Sequence, residues 1–130
     1  MKLFLRILSI GVYLMIFILL AAAVGSAITK QPMLMSAVRS NSMYPLLERG
    51  DAVFIKKLAP KDVIKNGDIV VFKTENGSYA SQGWIMHRII EGDIDKGYIT
   101  KGDANKYIDQ ELGGTGPIIR EWISSRAVTI

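Results

Sequence analysis

Gly67-Asp68-Ile69-Val70-Val71-Phe72-Lys73 sets a glycine–aspartate turn directly before five residues, four of them apolar. A run this short, bounded by turn residues and rich in β-branched side chains, has the pattern of a buried strand. The same phrase occurs earlier as Gly50-Asp51-Ala52-Val53-Phe54, continuing into Ile55-Lys56-Lys57, a second strand. Two copies of a turn plus strand do not make a repeat architecture. Outward from this pair, Met33 to Val38, Trp84 to Ile90, Gly97 to Thr100 and Glu121 to Ile130 read as further strands. Polar, glycine-containing loops separate them, Glu75 to Gly83 and Asp109 to Gly116 among them. Nothing after residue 31 sustains helical periodicity for three turns, and this spacing of short strands predicts an all-β, barrel-like domain. With 130 residues the chain has room for one core and an accessory segment.

The accessory segment comes first. From Ile7 to Thr29 there is no charged residue, and about 23 residues at about 1.5 Å each span a hydrocarbon core of about 30 Å. Lys2, Arg6 and the small residues from Ala21 to Ala27 would also suit a cleavable secretory signal. The apolar run is longer than the roughly 7 to 15 residues of such signals, which favours an uncleaved anchor. Lys2, Arg6 and the free amino group precede the run and only Lys30 follows closely, so the amino terminus is expected in the cytoplasm. The expected organisation is therefore a transmembrane segment over residues 1–30 and an extracytoplasmic domain over 31–130.

The formal charge of +4 belongs largely to the anchor's flanks. Residues 31–130 carry thirteen basic against twelve acidic side chains, too balanced for a nucleic-acid binder. The chain has no cysteine, so disulfides, thiolate metal sites and thiol catalysis are excluded, and no cofactor or metal is expected.

Val38-Arg39-Ser40-Asn41-Ser42-Met43-Tyr44-Pro45 places two hydroxyls two residues apart in a turn-prone stretch. A serine before a proline turn is usually structural. Ser42 becomes a candidate nucleophile only if a base can take its proton. The sequence holds one histidine, His87, and strand alternation puts it on one face with Ile85 and Ile89. A lone histidine there would ordinarily be a core residue with one hydrogen bond, but it is also the single imidazole available to a serine. A carboxylate would have to orient it, and both Asp103, in Lys101-Gly102-Asp103-Ala104-Asn105, and Asp109 are open to that role. Lysine is the other possible base, yet Lys56, Lys57 and Lys73 read as solvated charges flanking strands.

Together, the anchor, Ser40-Asn41-Ser42-Met43-Tyr44-Pro45, Gly67-Asp68-Ile69-Val70-Val71-Phe72, His87-Arg88-Ile89 and Lys101-Gly102-Asp103-Ala104-Asn105 resemble the signal peptidase I family. Within it they resemble the archaeal and endoplasmic-reticulum type, in which histidine stands where the common bacterial enzymes have lysine. The likeness runs in order over roughly residues 5–110, and four boxes in sequence are more specific than any one. It implies a membrane-bound serine endopeptidase acting on preprotein signal peptides, with Ser42 as nucleophile and His87 as base. It further implies Ser40 and the Ser42 amide as the oxyanion hole, Asp109 as the triad acid and Asp103 in support. Membrane lipid and further signal-peptidase or translocation subunits are the other expected partners.

Two features depart from the pattern. Asn41 stands where glycine is frequent, and family members usually continue past the region of Arg126 into another apolar, proline-containing stretch, whereas this sequence ends at Ile130. A minimal member, a C-terminally truncated chain and an incomplete gene all fit that ending. Two rival readings are a catalytically silent, membrane-anchored scaffold subunit and a self-cleaving regulator using serine with lysine.

Overall fold

The computed structural model describes residues 1–29 and 34–128, which fall into two compact units divided after Met33. Lys30, Met33, Thr129 and Ile130, used above for the anchor's flank and the strand ends, lie outside the described residues.

The first unit is helix α1, Lys2–Thr29. It begins one turn before the uncharged stretch and carries apolar side chains on every side, with Leu3, Phe4, Ile10, Phe17 and Leu20 all exposed. A helix without a polar face suits a lipid surround, where its backbone is already internally bonded. It is long and apolar enough to cross a membrane.

Among the described residues the second unit contains six strands, β1 Met35–Ala37, β2 Ala52–Lys57, β3 Ile69–Phe72, β4 Ile85–Asp93, β5 Gly97–Lys101 and β6 Ile123–Ala127, and a short α-helix, α2 Asp109–Gly113. The strands form a single antiparallel sheet in the order β1-β2-β6-β3-β4-β5, so β6 is inserted between β2 and β3.

β3 explains the uninterrupted apolar run from which the fold was read. Val70 and Phe72 enter a core with Ile85, Ile89, Tyr98, Ile118 and Ile123, while Ile69 and Val71 enter a second core with Met43, Leu47, Val53 and Ile55. A strand covered on both faces has no position where a polar side chain would be tolerated. β2 is covered on one face and alternates, with Val53 and Ile55 buried and Ala52, Phe54 and Lys56 exposed.

The Gly-Asp echo is one turn used twice. Asp51 Oδ2 accepts the Glu48 amide at 2.8 Å and Asp68 Oδ2 accepts the Lys65 amide at 2.9 Å. The Asp51 and Asp68 amides return to the Glu48 and Lys65 carbonyls at 3.0 and 3.1 Å. Each aspartate thus satisfies the turn and starts the next strand, at Gly50 and Gly67 positions with φ of 105° and 92°.

The all-β sheet matches expectation, and its closure into a barrel is a finer matter. No ladder joins β1 to β5 among the described residues, yet residues of β1 and β4, with three strands between them in the sheet, line one groove. The sheet therefore curls.

Candidate active site

The turn that carries Ser42 is fixed from both ends. Val38 continues the pairing of β1, donating to the Asp51 carbonyl at 2.8 Å and accepting from the Gly50 amide at 2.9 Å. Beyond it, Asn41 Oδ1 accepts the Arg49 amide at 2.8 Å, a bond that glycine at this position could not make. Met43 and Leu47 then plug the second core at 2% and 3% exposure. Burying two such side chains contributes about 1.5–3 kcal/mol each, so the half-buried Ser42 between Asn41 and Met43 is held rigidly.

The Lys101-Gly102-Asp103-Ala104-Asn105 box meets this turn. The Ala104 amide donates to the Ser42 carbonyl at 2.9 Å. A Cβ on Gly102 would lie 2.7 Å from that same carbonyl oxygen and 2.7 Å from Asn105 Nδ2, so only glycine lets the two segments approach.

His87 stands on the buried face of β4, opposite Val70, with its ring edge-on to Phe72 at 6.5 Å between centroids. Its Nε2 is 2.9 Å from Ser42 Oγ, and its Nδ1 is 2.6 Å from Asp109 Oδ2. In the tautomer with the proton on Nδ1, that nitrogen donates to the Asp109 oxygen and Nε2 is placed to accept from the Ser42 hydroxyl. Asp109, the first residue of α2, is fully buried. Thr100 on β5, diagonal to His87 across the β4–β5 ladder, donates its hydroxyl to Asp109 Oδ2 at 2.7 Å. The Tyr79 hydroxyl lies 3.5 Å from the other oxygen, Oδ1.

Ser40 Oγ is 3.1 Å from Ser42 Oγ and accepts the Ser42 amide at 3.4 Å. Asp103 takes a different partner: Arg88 holds it with two bonds of 2.8 and 2.6 Å and reaches the Gly67 carbonyl at 2.9 Å. The Asp103 hydrogen bond raises the Arg88 guanidinium above its ordinary range, with the Asp103 charge adding and partial burial opposing. Neighbours on a strand face opposite ways, so Arg88 carries Asp103 on the side away from the imidazole. Of the candidates from sequence, Ser40, Ser42, His87 and Asp109 come together, while Asp103 bonds Arg88 instead of the imidazole. Lys56, Lys57 and Lys73 are exposed, as expected. Thr100 and Tyr79 were not foreseen. Alternation along β5 would have suggested Thr100 only with the β4–β5 register known, and nothing local marks Tyr79.

The groove over these groups has a volume of about 270 Å³. Ser36 to Ser40 form one wall, and Tyr79, Gln82 and Trp84 to His87 form another.

The model of the signal peptidase family, peptidase S26, matches residues 7–106. The chain belongs to that family. The signal peptidase complex catalytic subunit SEC11C of Canis lupus familiaris, of Homo sapiens and of Mus musculus are each 36% identical to it over 97 residues. The aligned part is 70% of this chain and 45% of each relative, so this signal peptidase family member spans about half the length of the curated relatives it matches. The family match stops three residues before Asp109, and that residue's place beside His87 is a matter of geometry alone.

Proposed function

We propose that this protein is a membrane-bound serine endopeptidase that removes signal peptides from secreted preproteins. The observation that carries the reading is the unbroken contact chain Ser42 Oγ–His87 Nε2, His87 Nδ1–Asp109 Oδ2, at 2.9 and 2.6 Å. In it the Ser42 oxygen attacks the scissile carbonyl as His87 Nε2 takes the hydroxyl proton. Asp109 keeps the imidazole in the right tautomer and stabilises the imidazolium. The Ser42 amide and the Ser40 hydroxyl donate to the oxyanion, each such donor being worth about 2.7–4 kcal/mol in acyl-transfer sites. The imidazolium gives its proton to the leaving amine, and water, deprotonated by His87, releases the acyl-enzyme. Asp103 acts from outside, holding Arg88 and so the strand that carries His87.

The substrate is extended along β1, Met35 to Ser40. The Leu34 carbonyl accepts from Ile55 on β2 and Val38 bonds Asp51 and Gly50 just before it, and alternation turns the backbone groups of Met35 and Ala37 the other way, toward an added strand. Residues 31–130 are the catalytic domain, a curled, barrel-like sheet outside the membrane, and residues 1–30 anchor it with the amino terminus in the cytoplasm. The relatives named above are subunits of a signal peptidase complex, which supports further subunits as partners.

The test is cleavage of a model preprotein by the full chain in detergent micelles. Ser42→Ala and His87→Ala are each expected to abolish cleavage with membrane insertion unchanged, and a fully active His87→Ala protein would refute the mechanism. A wild-type protein showing neither cleavage nor serine-directed labelling would instead be a silent subunit.

A further inference from the structure

Asp109 Oδ2 takes two short bonds, from His87 Nδ1 and Thr100 Oγ1, at 2.6 and 2.7 Å. Its second oxygen, Oδ1, is equally buried, and the hydroxyl facing it is that of Tyr79. Tyr79 comes from a short 3-10 segment, Ser78–Gln82, in the loop between β3 and β4. This loop is seated on α2, the helix that begins with Asp109. Ser78 Oγ donates to the Gly113 carbonyl at 3.4 Å, and the Tyr79 ring lies so close to Gly113 that a Cβ there would be 3.0 Å from two ring carbons. Tyr79 also lines the groove, together with Ser42 and His87.

We propose that Tyr79 is a positioning residue for the signal-peptidase reaction, completing the Asp109 carboxylate through Oδ1 while its ring forms part of the substrate wall. The inference rests on the catalytic reading given above. Burial first, and then the Asp109 charge and hydrogen bond, raise the phenol above its ordinary range, which keeps it a donor. At 3.5 Å the bond is long, which leaves the hydroxyl room to close on Oδ1. A peptide lying against the ring presses the hydroxyl toward Oδ1, so occupancy of the groove and orientation of the triad are linked by one side chain.

Tyr79→Phe separates the two roles, because it keeps the ring against Gly113 and removes only the hydroxyl. With the full chain in micelles and a model preprotein, kcat is expected to fall about three- to tenfold, the effect of one hydrogen bond, with KM unchanged. A second readout needs no turnover. The sequence has a single histidine, so the downfield Nδ1–H proton resonance of His87 is assigned without ambiguity. Tyr79→Phe should move it, and Asp109→Asn should move or abolish it, while Ser81→Ala, a neighbouring control, should leave it in place. Lowered kcat together with a moved resonance supports the inference. An unchanged kcat, an unmoved resonance, or a loss confined to KM each overturns it. If Ser42→Ala still cleaves, the catalytic reading falls, and the resonance still decides whether Tyr79 acts on the Asp109–His87 pair.

Discussion

Replacing Asp109 by asparagine tests the proposed triad most directly, because the side chain keeps its shape and loses its charge. In the native site the carboxylate is wholly buried, with His87 Nδ1 at 2.6 Å and Thr100 Oγ1 at 2.7 Å. When His87 becomes an imidazolium, the two charge centres are about 4 Å apart, and at an effective dielectric of about 20 their attraction is about 4 kcal/mol. Asparagine forfeits that term and can offer its amide to Nδ1, favouring the wrong tautomer. At about 1.4 kcal/mol per decade, kcat should fall about 1,000-fold. Asp103→Asn is the matched control. Its partner pair with Arg88 is partly solvated, at 30% and 20% side-chain exposure, where such pairs contribute about 0–1 kcal/mol, and the expected loss is no more than about fivefold. The assay is single-turnover cleavage of a preprotein by the full chain in micelles, with circular dichroism of each variant to check folding. An Asp109→Asn protein within tenfold of wild type, or an Asp103→Asn protein slower than Asp109→Asn, would refute the assignment.

Two other substitutions probe how the site is held. Gly102→Ala puts a methyl group 2.7 Å from the Ser42 carbonyl, so the turn must shift. The expected result is a loss of about 1–3 kcal/mol in a urea melt, with a larger proportional loss of kcat than of KM. Phe72→Ala empties the centre of the first core, where Phe72 is completely buried against His87 and its neighbours. The cost of about 3–5 kcal/mol should lower the thermal midpoint sharply and reduce the folded fraction, and an unchanged midpoint would contradict the packing described for β3.

The residues that carry the family resemblance are marked by local chemistry. Apolar runs between Gly-Asp turns, a charge-free helix and a single histidine are all properties of neighbouring residues, and each follows from backbone preference or solvation without knowledge of the fold. Strand positions were legible for the same reason: β2, β3 and β4 follow the buried or alternating pattern written into Ala52 to Lys57, Ile69 to Phe72 and Ile85 to Ile89. The face of His87 was legible too, since alternation within a strand is fixed by its pleat.

Pairing across the chain was not legible, because the sheet brings together residues far apart in sequence and many registers satisfy the same pattern. The insertion of β6 between β2 and β3 has no local signal. Nor does the choice between two aspartates in one glycine-containing region. Asp103 and Asp109 look alike as turn residues, so only the family resemblance favoured Asp109, and it is the fold that sends Asp103 to Arg88 and Asp109 beneath His87. The sequence by itself determined which residue types were present to do chemistry, one imidazole and a pair of serines ahead of a proline. Tertiary structure decided which of them touch, and it added Thr100 and Tyr79, whose part depends on hydroxyl positions set by the β4–β5 register and by a loop docked on α2.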